Sequence, residues 1–181
     1  MKNKSVEDIV LEMKDKSELM VDLAYSSLLY NNETIAKEVY DLEDTVDILY
    51  QTLQKQTLEN ISKNKLKVND ALAILRLGEA GEQIADAAQE IADVQLRDIE
   101  LHPILKLSIR ESDQVITRVQ VKENSILCNK TLGKLKLASE TGMMIIAMRH
   151  DNRWLYAPNK NTKIDSRDIL FANGPEDGEK N

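Results

Sequence analysis

No apolar run in this sequence approaches the roughly 20 residues that cross a bilayer, so direct membrane insertion is not expected. The opening stretch Met1 to Asp8 mixes charges of both signs with no apolar run behind it, which argues against export and for a cytoplasmic location. Cysteine is nearly absent. The single thiol, Cys128, forms no internal disulfide, fits a reducing compartment and reads as a buried thiol. Aromatic residues make up only 4% of the chain, so its core is expected to be aliphatic. The six glycines, at 78, 81, 133, 142, 174 and 178, spell neither a dinucleotide fingerprint nor a phosphate loop. The two histidines, His102 and His150, lack the neighbours that a zinc or nucleophile motif needs, and both read as surface or packing residues. Carboxylates are plentiful, but they sit in amphipathic patterns rather than in the water-poor pockets that acid and base catalysis needs. The chain is therefore not expected to be an enzyme.

At 42% hydrophobic and 30% charged residues, the composition is that of a folded protein. The net charge of −7 is unevenly spread. Up to Asp113 there are 13 Lys and Arg against 23 Asp and Glu, a charge of −10; from Gln114 on there are 11 against 8, or +3. An acidic first half repels nucleic acid, so nucleic acid is not expected as a partner, while a mildly basic second half suits a small anion.

Up to Asp113 the pattern is helical. Ile9, Val10, Met13, Met20, Val21, Ala24 and Leu28 mark one helix face after a Ser5 N-cap, with Asp8 three residues on; Asn31 and Asn32 make the turn. In a second helix Ile35, Leu42 and Leu49 interleave with Val39, Val46 and Leu53, both lines at sevenfold spacing. After the polar stretch Glu59 to Lys67, a third helix from Val68 to Asp98 places Leu77, Ile84 and Ile91 on one seam. Ala85, Ala88 and Ala92 beside it allow close helix approach. The expected unit is an antiparallel three-helix bundle over 1–113, with a short apolar segment after Pro103.

At Gln114 the period changes to two. Val115 to Val121 alternates as a strand, Asn124 to Leu137 reads as a turn and short helix closed by Thr141-Gly142, and Met143 to Met148 reads as a buried strand. Asp151-Asn152 turns into Trp154-Leu155-Tyr156, and Asp168 to Ala172 makes a last strand before Gly174-Pro175. The expectation is a small α+β domain over 114–175, then a polar, mobile tail over 176–181.

Two E-x-x-x-D motifs, Glu43 with Asp47 and Glu82 with Asp86, place carboxylates one turn apart on the second and third helices. Clustered carboxylate oxygens are what hard cations prefer, although the same spacing also describes a solvated face. The stretch Leu77 to Ala92, with Glu82-Gln-Ile-Ala-Asp86 at its centre, resembles the motif of the PhoU family, with Gln83 where that motif has Arg. The resemblance implies a three-helix bundle with outward-facing carboxylates, Glu43, Asp47, Glu82 and Asp86, holding a metal ion, iron or zinc. It also implies a homodimer, because the family often carries two such bundles and one is present here.

The second half is similar to the TrkA-C domain of potassium conductance regulators. The resemblance is carried by Ser125-Ile-Leu127, Thr131-Leu-Gly-Lys-Leu135, Thr141-Gly142, the run Met143 to Arg149, Ala157-Pro158 and Asp168-Ile-Leu170. Asn129 and Arg167 stand where that pattern has glycine. The resemblance implies paired lobes that bind a cyclic dinucleotide, with Arg149, Arg153 and Lys160 meeting phosphates and Pro158 packing on a base. The expected function is a non-enzymatic, ligand-sensing regulatory subunit for potassium or other cation transport, partnered by a membrane transporter or channel. The alternatives are a metal-binding regulator of phosphate or other ion uptake, and a structural dimeric scaffold.

Overall fold

The computed structural model describes residues 4–97, 114–151, 153–175 and 177–178. They form two compact units, each taken by itself. The expected boundary at 113/114, the segment after Pro103, His102 and most of the tail lie outside the described residues.

The first unit is three long helices: α1 (Val6–Leu29), α2 (Glu33–Ser62) and α3 (Val68–Leu96). α1 starts at a full capping box: Asp8 N–H donates to Ser5 Oγ at 3.1 Å and Ser5 N–H to Asp8 Oδ2 at 3.0 Å. The α1–α2 turn rests on two asparagines. Asn31 takes the left-handed conformation (φ 48°), and the Asn32 side chain accepts from Thr34 N–H and Ile35 N–H to cap α2. Both heptad lines of α2, Ile35/Leu42/Leu49 and Val39/Val46/Leu53, are buried, as are Ile9, Met13, Met20 and Leu23 of α1, and α1 and α2 lie in contact. Burying each such side chain contributes about 1.5–3 kcal/mol.

α3 departs from expectation. Leu77 and Ile84 are exposed at 58% and 46%, and the buried line is one residue later: Ala71, Gly78, Ala85 and Ala92, with Ala88. The reason is space. A Cβ on Gly78 would collide with the buried Leu53 side chain, so α3 approaches α2 at a distance that admits only hydrogen at 78, and methyl groups at Ala71, Ala85 and Ala92 continue the buried line. No helix among the described residues is long and apolar enough to cross a membrane.

The second unit is a four-stranded antiparallel sheet in the order β1-β4-β2-β3, from β1 (Gln114–Gln120), β2 (Met144–His150), β3 (Arg153–Tyr156) and β4 (Ile169–Pro175). Two single-turn helices, α4 (Leu132–Leu135) and α5 (Leu137–Glu140), precede β2. One sheet face carries the core of Val121, Met148, Ile164 and Leu170, against which Leu127, Cys128, Leu132 and Leu135 pack. Cys128 is only partly buried. A bulge at Ile145/Ala147 shifts register in β2, and Met144 is 58% exposed, so the apolar run Met143 to Met148 is not uniformly buried.

Candidate ligand cleft

Between α4–α5 and the start of β2 lies an open cleft of about 170 Å³. Leu132, Leu137, Met143, Ile145 and Pro158 give it apolar walls, and Lys136, Asn159 and Lys160 bring polar groups to it. Its geometry follows from local sequence. Lys136 adopts φ 50°, which breaks the chain into two helical turns. The loop 158–163 is stitched to α4: Leu132 N–H donates to Thr162 O at 3.0 Å and Gly133 N–H to Lys160 O at 2.8 Å. Gly133 permits that approach, since a Cβ there would lie 2.9 Å from Lys160 O.

Of the residues expected to meet a ligand, Pro158 and Lys160 line this cleft, whereas Arg149 and Arg153 do not. The hairpin register separates those two arginines. Arg149 pairs with Trp154 and His150 with Arg153, so strand alternation puts Arg149 and Arg153 on opposite sheet faces. Within one lobe the two arginines therefore face apart, whereas the expected convergence is in a groove between paired lobes. Arg149 instead lies 5.5 Å from the Trp154 ring centroid, in an aromatic row where Trp154 stacks on Phe171 at 5.2 Å and on Tyr156 at 5.9 Å. Gly133, Lys136 and Asn159 were not anticipated. His150, read as a bystander, has Nδ1 2.5 Å from Oδ1 of buried Asp168, whose other oxygen accepts from Asp165 N–H at 2.8 Å. That carboxylate raises the His150 pKa.

On the helical unit, Glu43, Asp47, Glu82 and Asp86 are near enough to repel one another. Partial burial, then Asp44, Asp86 and Asp47, push the Glu43 carboxyl above its ordinary range; burial, then Asp86, Asp47 and Glu79, do the same to Glu82. Gln89 Nε2 donates to Glu43 Oε2 at 3.0 Å. The oxygen donors suit a hard cation by chemistry, but among the described residues no three His, Cys, Asp or Glu side chains converge to hold a metal.

A family model described as the PhoU domain matches residues 10–94, and one described as the TrkA-C domain matches residues 116–180. The chain is a PhoU-like helical domain fused to a TrkA-C-like domain. The cleft lies within the TrkA-C match and the carboxylate face within the PhoU match. No curated protein matches the chain significantly. Among solved structures, the RCK_C domain dimer of S. agalactiae BusR in complex with c-di-AMP is similar: 28% identity, 36% of this chain, 86% of that one and a TM-score of 0.34. The RCK C domain of the potassium transport protein KtrA, in complex with the same molecule, shares 19% identity over 43% of this chain and 89% of its own, with a TM-score of 0.35. S. agalactiae BusR in complex with its busAB-promotor DNA shares 21% identity over 64% of this chain and 62% of that one, with a TM-score of 0.35.

This last structure corrects the expectation that nucleic acid is not a partner. A relative of this chain is itself bound to promoter DNA. The physical error is that net charge averages over a surface, whereas DNA contacts depend on a local patch or element.

Proposed function

We propose that this protein is a non-enzymatic regulatory subunit of cation transport, potassium transport in the first instance. Its TrkA-C lobe takes a small phosphate-bearing ligand in the cleft between α4–α5 and Pro158–Lys160, and a transporter or channel subunit is the partner. The observation that carries this reading is the makeup of that cleft, an apolar wall that suits a base and two lysines that suit phosphate. The TrkA-C match over 116–180 supports the potassium assignment.

Calorimetry on the full chain tests the reading, with c-di-AMP as first probe because the BusR and KtrA lobes hold it. AMP and inorganic phosphate serve as comparisons. Micromolar binding of the dinucleotide, weakened about tenfold in Lys160→Ala through loss of a charged contact, is the expected result. If none of the three binds below millimolar concentration, the sensor reading fails and a structural scaffold takes its place.

A further inference from the structure

Asp168 is a carboxylate almost shut off from water, with a side chain 3% exposed, at the point where the loop after β3 returns to the sheet as β4. Its two oxygens serve different segments. Oδ1 lies 2.5 Å from Nδ1 of His150, the last residue of β2, and Oδ2 accepts from Asp165 N–H at 2.8 Å inside the loop. One carboxylate thus ties the end of β2 to the loop 158–168. This is the loop that carries Pro158 and Lys160 to the cleft. Its cleft end is held on α4, through Thr162 O, which accepts from Leu132 N–H, and Lys160 O, which accepts from Gly133 N–H.

A buried carboxylate is costly unless a cation or good donors balance it. His150 supplies a cation only when it is protonated. The pair is then neutral overall; with a neutral imidazole, Asp168 keeps its charge against two uncharged N–H donors. The His150 side chain is 55% exposed, so its proton exchanges with solvent without opening the sheet.

The charged groups around the ring come from the turn, the facing strand and the loop. Asp151 Oδ2 lies 3.9 Å from Nε2, and Asp151 and Asp165 favour protonation together with Asp168. Arg153, paired with His150 across the hairpin, and Lys163, 2.9 Å from Asp165, oppose it. The hydrogen bond and charge of Asp168 decide the balance and raise the His150 pKa. The stabilisation is therefore complete below the ordinary histidine value of about 6.5 and is lost as pH rises through the raised one.

We propose that His150 and Asp168 form a proton-operated latch on the cleft loop, closed in acid and loosened in alkali, so that the cleft holds its ligand less tightly as pH rises. The effect on affinity rests on the ligand reading above; the latch itself does not.

NMR titration of the full chain from about pH 5.5 to 9 tests the latch without any ligand. Two amides report on the loop, Asp165 at the latch and Gly133 at the cleft end. Both shift with the His150 ring, at one shared midpoint above about 6.5, and in His150→Gln, which keeps a neutral donor, neither shows that transition. If Gly133 does not move with His150, the latch does not reach the cleft and the proposal is overturned. In calorimetry c-di-AMP binds about fivefold more tightly at pH 6 than at pH 8.5, and equally at both in His150→Gln. Affinity independent of pH in the unaltered chain, or a pH dependence that survives His150→Gln, also overturns it. Should c-di-AMP bind at neither pH, the ligand reading fails, and the two amides alone decide the latch.

Discussion

Arg167 has φ 73° and Asn129 φ 64°, and these are the two positions where the TrkA-C pattern has glycine. Asparagine tolerates the left-handed region, but arginine pays a steric penalty of about 1 kcal/mol there, partly offset because glycine loses more entropy on folding. Arg167→Gly should therefore raise lobe stability by a few tenths to about 1 kcal/mol, measured by urea denaturation. A loss of stability would show that the arginine side chain matters more than its backbone.

Lys16 poses an opposite problem: its side chain is 2% exposed within the bundle, and burial lowers its pKa to about 8 against the pull of Glu12 at 3.7 Å. Between pH 8 and 10.5 the unfolded chain holds the proton that the folded chain has released, so stability rises with pH across that window. Lys16→Met should stabilise the protein by roughly 1–3 kcal/mol at pH 7, and the gain should shrink as pH climbs toward 10. Thermal melts at both pH values read this out, and a gain independent of pH would contradict it.

At the scale of elements, the buried face of α2 was legible and that of α3 was not, although the span of α3 was. The heptads of α2 are large aliphatics, and all of them are buried. On α3 the large residues Leu77 and Ile84 suggested a core line, but size misled: helices this close leave room only for Gly78 and alanines. The cleft was legible only in part. Pro158 and Lys160 lie in a quoted motif or beside it, whereas Lys136 enters through a left-handed break that no periodicity announces. The separation of Arg149 and Arg153 was in principle readable, because a two-residue turn at Asp151-Asn152 pairs His150 with Arg153 and leaves Arg149 on the other face.

Two outcomes follow for these elements. Gly133→Ala must push the 158–160 loop off α4, since the new methyl would sit 2.9 Å from Lys160 O, so both the melting temperature and ligand affinity should fall. Unchanged affinity in calorimetry would detach the loop from the site. On the carboxylate face, Asp86→Asn should raise the melting temperature at pH 7 by relieving repulsion on Glu43 and Glu82. Both carboxyls have raised pKa values, so their repulsion is felt above that range and fades as they protonate. The gain should vanish as pH falls through the raised values, and a loss at pH 7 would mean that Asp86 stabilises the fold.

For the whole molecule, charge is split unevenly between the two domains: −10 up to Asp113, and +3 from Gln114, where the two cleft lysines lie. Binding of an anion by that lobe should weaken with salt, because the lysines at an open cleft are screened. The central claim is that the cleft, and not the Arg149–Trp154 row, receives the ligand. Methyl and indole NMR of the full chain with c-di-AMP tests it most directly. The account predicts shifts at Leu132, Met143, Met144 and Ile145 with the Trp154 indole unmoved; shifts confined to Trp154 and its neighbours, with the cleft methyls unchanged, would contradict it.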